Sequence, residues 1–391
     1  MTRSGKIGRL VLCLAFFWLL PFANLAKPVY TKDDFKIDFS GYIQEQALYA
    51  PMILNDYFLL SQTRFRPVLG FNFGRGFSAE FSQTLLLSAG NALENPAYQL
   101  ARKFPQPTYF NWYYHIIDNS DLSLDWDVYR AWVAYEGKKF KVVAGRQRMA
   151  YGTALFYSPL DLFNPTSPLS LNPGERVGVD GASMEFELGP SSYVSLAYGI
   201  GDNWDETRLA LYYKTTVKAF DLHFLVARIF TDYIVGGAFS GNLKDGSLYG
   251  ELSYTMPDHY LKNYVRGTVG YAYKFKNGIS MILEYYHDGG VLSVSGQNGS
   301  ELLFSTKLGL VTIDRNYLCL STGFSLTSLL GFSSAIIYDM DGGSFFIGPS
   351  FSISATQSIS ITAGAQLFGG NQQGDFGSLP PFLWGRVRWD F

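Results

Sequence analysis

The residues of this chain best suited to chemistry are its arginines. Arg64, Arg66, Arg146, Arg148, Arg208, Arg266, Arg386 and Arg388 occupy the polar positions of segments in which polar and apolar residues alternate. A guanidinium keeps its charge and offers a rigid fork of donors to carboxylate or phosphate. A set of them on one face would draw anions and slow cations. Asp38, Glu80, Asp125, Asp127, Glu185, Asp221, Glu251 and Glu284 share the same parity. The other reading is therefore a wall of paired charges that binds only water and its own neighbours, and pairs of that kind are individually weak. A tight turn at Gly137 predicts Asp127 opposite Arg148 as one such cross-strand pair.

The histidines are His115, His223, His259 and His287. Asp221 and His223, two apart on one strand face, could orient a general base. No serine motif accompanies them, and the chain is read as not an enzyme. No Cys/His cluster suggests zinc, no Asp-rich loop suggests calcium, and no C-x-x-C-H run suggests a haem. No metal and no cofactor is expected.

The elements that must position the arginines are strands. Leu383, Gly385, Val387, Trp389 and Phe391 fall on one parity, and Trp384, Arg386, Arg388 and Asp390 on the other. Alternate side chains of a strand point to opposite faces. A soluble sandwich would turn the charges to water, whereas a membrane barrel would turn the apolar face to lipid and the charges to its lumen. Comparable alternation predicts strands at 35–49, 61–73, 77–88, 121–136, 138–149, 176–188, 191–200, 205–217 and 219–230. It continues at 233–240, 246–256, 262–276, 278–288, 315–327, 329–340, 343–355, 358–369 and 381–391. Every second connection is tight, as at Gly74-Arg75-Gly76, Gly189-Pro190 and Thr356-Gln357, and the rest include the long stretches 89–120, 150–175 and 289–314. A sandwich has no need of that asymmetry, and a barrel does. The fold class is all-β, an antiparallel transmembrane β-barrel of about 18 strands, with 16 to 20 admitted because 300–312 holds a further apolar stretch. Parity slips near Gly181-Ala182, where a bulge is predicted, and Glu45 and Arg130 fall on the nominal lipid face.

Arg3, Lys6 and Arg9 precede an apolar run from Leu10 to Phe22, with small residues at Ala23 and Ala26. Residues 1–26 read as a signal peptide and 27–391 as the barrel. Removing 1–26 takes away three basic and no acidic side chains, leaving 28 basic against 33 acidic residues and no case for nucleic acid. Cys319 alone then remains, so no internal disulfide forms. Aromatic content is 17%, with 40 glycines.

Ending on Phe391, the last strand resembles the terminal strand of Gram-negative outer-membrane barrels. That resemblance implies that Phe391 is read by the barrel-assembly machinery and that the wall meets outer-membrane lipid and lipopolysaccharide. Gly145-Arg146-Gln147-Arg148-Met149-Ala150-Tyr151-Gly152 followed by Ser158-Pro159-Leu160-Asp161-Leu162-Phe163-Asn164-Pro165 is similar to the G-R-Q…W-G…P-x-D…N-P pattern of porin-like families related to alginate-export barrels. Tyr151 stands where that pattern has Trp. Pro159, Pro165, Pro168 and Pro173 stiffen this stretch, which either folds inward as a constriction through Tyr151, Asp161 and Asn164 or lies on the surface. The aromatic loop 89–120 (Tyr98, Phe104, Tyr109, Phe110, Trp112, Tyr113, Tyr114) reads as an interfacial belt or a sugar slide.

The expectation is a passive channel for small polar solutes, anions among them. The pore-lining set is Arg64, Arg66, Asp127, Arg146, Arg148, Arg208, Arg266, Arg386 and Arg388. The alternatives are an export barrel for an anionic polysaccharide, a scaffold around a periplasmic partner such as a multihaem cytochrome, and a barrel lipase.

Overall fold

The computed structural model describes residues 27–32, 34–53, 56–95, 98–99, 108–165, 167–172, 174–176, 178–258, 262–291, 312 and 314–391. The expected signal peptide, His259 and the apolar stretch 300–311 lie outside the described residues. Among the described residues there are twenty strands: β1 (Lys27–Lys32), β2 (Phe35–Ile53), β3 (Asp56–Gly74), β4 (Phe77–Ala89), β5 (Tyr113–Asp118), β6 (Leu122–Glu136), β7 (Phe140–Gln147), β8 (Val179–Gly189), β9 (Ser192–Gly199) and β10 (Arg208–Val217). Then come β11 (Phe220–Ile229), β12 (Asp232–Leu243), β13 (Gly246–Met256), β14 (Tyr264–Lys274), β15 (Ser280–Asp288), β16 (Asn316–Ser325), β17 (Leu330–Asp339), β18 (Ser344–Ser354), β19 (Ile359–Gly370) and β20 (Phe382–Asp390).

Eighteen of these close into one antiparallel barrel, each pairing with its neighbour, β4 with β6, and β20 back onto β2 from Tyr42↔Asp390 to Tyr49↔Leu383. All eighteen predicted strands are found. The two additional strands lengthen the wall. β1 pairs with residues 35–39 of β2, on the edge left free below the end of β20. Phe391 and Gly41 exchange both backbone hydrogen bonds at that junction, at 3.0 Å each. β5 pairs with residues 123–127 of β6, above the point where β7 stops, so it completes the wall there. Part of the presumed loop 89–120 is thus a strand.

Exposure runs opposite to that of a soluble domain. Along β13, Leu252 is 59% exposed while its neighbour Ser253 is 2% exposed. Apolar residues outside and polar ones within exclude the sandwich and define a membrane barrel. One end carries turns of two to five residues, and the other carries the long connections 148–178 and 289–315. Gly74, Arg75 and Gly76 all take positive φ, as a two-residue hairpin turn demands.

Three sequence expectations are corrected. The parity slip lies at Val128–Arg130, where β6 shifts register against β4 and leaves Tyr129 unpaired. This bulge turns Arg130 inward. No shift occurs at Gly181-Ala182; the one in β8 lies between Glu187 and Gly189. Asp127 does not face Arg148, because the turn after Glu136 uses Gly137, Lys138 and Lys139 and sets Ala131 opposite Arg146. A one-residue turn cannot close a hairpin. Glu45 keeps its outward parity but is only 4% exposed, its carboxylate accepting from the hydroxyls of Ser61 and Thr63.

Candidate functional site: the lumen and its inner loop

After Gln147 the chain turns into the barrel, and residues 148–178 touch inward side chains on strands all round the wall. Two apolar seats receive its first part. Leu160, Leu162 and Phe163 pack on Val179, Ala210, Tyr212, Leu225, Ile229 and Ile234. Phe156 and Tyr157 pack on Tyr286, Tyr317, Cys319, Ile337, Phe346 and Phe376. Each fully buried side chain of this size contributes about 1.5–3 kcal/mol. Cys319 serves there as a small apolar residue.

Between the seats, two wall carboxylates grip the backbone. Glu251 on β13 accepts from Thr153 N, Ala154 N (2.6 Å), Thr153 Oγ1 (3.0 Å), Ser158 Oγ (2.8 Å) and Leu160 N (3.2 Å). Glu284 on β15 accepts from Leu155 N (2.9 Å), Phe156 N (3.1 Å), Tyr157 N (3.2 Å) and Tyr249 OH (2.9 Å). Five consecutive amides, 153–157, thus point at two anions, a nest closed around carboxylates of the same chain. Gly152 sits where a Cβ would fall 1.8 Å from Ser158 Oγ, so the glycine of the W-G step makes room for this grip. Sequence reasoning placed Glu251 and Glu284 among the inward acids but gave them no role, because their partners are backbone amides some hundred residues away.

The constriction residues belong to this arm. Tyr151 OH lies 3.3 Å from Ser195 Oγ, and its ring is 4.7 Å from that of Tyr212. Asn164 Oδ1 accepts from Met149 N at 2.7 Å. Asp161 is paired with Arg176, and its Oδ1 has no partner. Burial pushes this carboxyl up to about 6 against the opposing pull of Arg176.

The second part of the loop meets the closure seam. Register sets Arg64, Gln44 and Arg388 side by side across β3, β2 and β20, with Arg66, Tyr42 and Asp390 in the row below and Gln62, Gln46 and Arg386 above. Arg66 donates to Thr84 Oγ1 at 3.0 Å and to Glu175, and its guanidinium lies 3.5 Å over the Tyr129 ring. Arg386 donates to Asn172 Oδ1 (2.6 Å) and Leu171 O (3.0 Å). Arg388 binds Asp390 through Nε and Nη2 at 2.9 and 2.7 Å. Arg64 Nε and Nη1 and Arg386 Nε have no hydrogen-bond partner. Beside this seam a cleft of about 390 Å³ runs between Ser167, Ser170 and Leu171 of the loop and Ser333, Ser350, Thr362, Gln366, Trp384 and Arg386 of the wall.

The other predicted pore residues divide. Arg146 is 2% exposed and donates to Asp180 Oδ1 and Oδ2 (2.8 and 2.9 Å), Val128 O (2.8 Å) and Phe110 O. It stitches β6, β8 and the approach to β5, with Asp127 at 3.5 Å, and none of its nitrogens is left for a solute. Arg208 donates to Phe163 O (3.1 Å) and Arg266 to Asp288 (2.9 Å), both buried. Arg148 is exposed.

Asp221 binds Lys214 (2.8 Å) and Thr216 (2.6 Å), while His223 faces the Tyr212 hydroxyl. Asp221 and His223 therefore do not pair with each other, whereas His115 Nδ1 lies 2.7 Å from Asp125 Oδ1. Among the described residues no group of three or more His, Cys, Asp or Glu is placed to hold a metal ion.

No known family profile matches the chain, and no curated protein matches it. Solved structures share its fold. Acinetobacter baumannii OccAB4 aligns over 91% of this chain and 98% of its own, at 8% identity and a TM-score of 0.57. Pseudomonas aeruginosa OccD3 (OpdP) aligns over 95% of each chain, at 8% identity and a TM-score of 0.54. A triple mutant of the Rhodopseudomonas blastica porin aligns over 91% of this chain and all of its own, at 14% identity and a TM-score of 0.45. The fold is that of the porin-like outer-membrane barrels. The resemblance of residues 145–165 to the alginate-export group gains no support from these alignments.

Proposed function

We propose that this barrel sits in the outer membrane and is a passive channel for small polar solutes, with anions favoured. The observation that carries this is the seam: Arg64, Arg66, Arg386 and Arg388 stand on adjacent strands beside an open, hydroxyl-lined cleft, and two of them hold unpartnered N–H groups. Guanidiniums at a narrowing raise the local concentration of anions and retard cations. Hydroxyls of Ser333, Ser350 and Thr362 replace part of a solute's hydration without charge.

The inner loop weighs against the other readings. A polymer in transit or a multihaem partner needs a clear bore, and residues 148–178 cross it. The test is the reversal potential of the purified protein in a planar bilayer under a potassium chloride gradient. Anion selectivity that falls or inverts in the Arg64→Glu, Arg388→Glu variant supports the reading. A wild-type protein that carries no current sinks it.

A further inference from the structure

The seam holds an imbalance of charge that the channel reading does not use. Three of its guanidiniums, those of Arg64, Arg66 and Arg386, share one counter-charge, since Asp390 is taken by Arg388. That counter-charge is Glu175, and it comes from the loop and not from the wall. Its carboxylate accepts from Tyr42 OH at 2.5 Å and from Arg66 Nη1, and lies 3.7 Å from Arg64 Nη1, too far for a hydrogen bond. Arg64 Nε and Nη1, both buried, are left without a hydrogen-bond partner beside it.

We propose that Glu175 is a tethered counter-ion: its carboxylate holds the place that the carboxylate of an entering solute takes, and the solute displaces it. The proposal rests on the anion-channel reading above and names its substrate class as small carboxylates. A free carboxylate can engage Tyr42 and Arg66 as Glu175 does and also fill the Arg64 fork, which the tether holds Glu175 short of. The rest of this arm meets the wall through neutral groups of its own, among them Arg176 O, which accepts from Arg130 at 2.5 Å, while the Arg176 side chain pairs with Asp161 of the first part. Asn172 meets Arg386, Gln44 and Gln46, and Leu169 O accepts from Gln366 at 2.8 Å. Displacing Glu175 therefore releases the ion pairs of this arm with Arg64 and Arg66. No bond is made or broken; one carboxylate exchanges for another.

Block of the chloride current by benzoate in planar bilayers tests this, with wild type and Glu175→Gln compared. Freed of its internal competitor, Glu175→Gln is expected to be half-blocked at a benzoate concentration lower by about tenfold or more. Glu175→Asp, which withdraws the same charge by one methylene, is expected to fall between. An unchanged or weaker block in Glu175→Gln, on an anion-selective wild type, overturns the tethered counter-ion and leaves the channel standing. Glu175→Gln failing to give the heat-modifiable mobility of a folded barrel overturns it too, since Glu175 would then be a strut. A wild type without anion-selective current removes the channel reading itself.

Discussion

The two halves of the inner loop are bound to the wall by opposite means. Residues 149–164 bury large apolar side chains in two seats and hand five consecutive amides to Glu251 and Glu284. Residues 167–172 and 174–176 meet the wall through Asn172, Leu169, Leu171, one carboxylate and the backbone of Arg176, which accepts from Arg130 and donates to the Tyr129 hydroxyl, beside an open cleft. In the first half the loop supplies donors and the wall supplies anions; in the second the wall supplies cations and the loop an anion. Buried, dry and many-fold contacts make an anchor. Few, wet and charge-based contacts make something that can exchange.

The sharpest way to break this contrast is Glu251→Ala with Glu284→Ala. Each removes the acceptor for at least three loop donors, and an unmet buried donor costs about 1–3 kcal/mol. The anchored half should come off its seats and single-channel conductance should rise severalfold; unchanged conductance would mean the apolar seats suffice. Next in size, Leu160→Ala should cost about 2–5 kcal/mol, read as a lower denaturation midpoint in detergent. Ser170→Ala in the other half should stay within about 0.5 kcal/mol.

The anchor also carries a pH dependence of its own. Asp161 rises from an ordinary 3.8 to about 6. A carboxyl raised in the folded state adds stability below its unfolded value and loses it as pH climbs through the folded one. Anchoring should therefore weaken between about pH 4 and 6, by about 2–3 kcal/mol. Asp161→Asn should abolish that slope in thermal unfolding measured across this range. A smaller effect than that of the anchor is expected of Asn172→Ala, about 1 kcal/mol, seen as a modest gain in current with little change in unfolding. A Leu160-sized loss there would erase the distinction between the halves.

The eighteen barrel strands are legible because lipid on one side and water on the other impose a period of two, and the short turns keep resetting it. The bulge at Tyr129 leaves a trace as well. Apolar residues run Leu122, Leu124, Trp126, Val128 and then Ala131, Val133, Tyr135, a change of parity that places Arg130 inward when followed. The fate of Arg146 is not legible, since it depends on β5, which hides in an aromatic stretch that reads as a loop. Nor is the grip of Glu251 and Glu284, since backbone amides carry no residue signature. The seam arginines are legible as inward residues, but their grouping depends on the closure of β20 onto β2, a pairing across the whole chain.

That closure has a consequence for how the molecule comes into being. β2 and β20 are the first and last wall strands, so their pairing is the contact of greatest sequence separation and the slowest to find. Until it forms, each presents a bare edge of unpaired amides and carbonyls, an invitation to aggregate. The marks of the finished joint are Phe391, 7% exposed among Phe39, Phe65 and Trp389, and Gly41 bonded to it on both sides. Side chains buried in the product are accessible only in the precursor. Whatever binds them must therefore bind the open form and let go as the barrel shuts, which makes closure itself the release step.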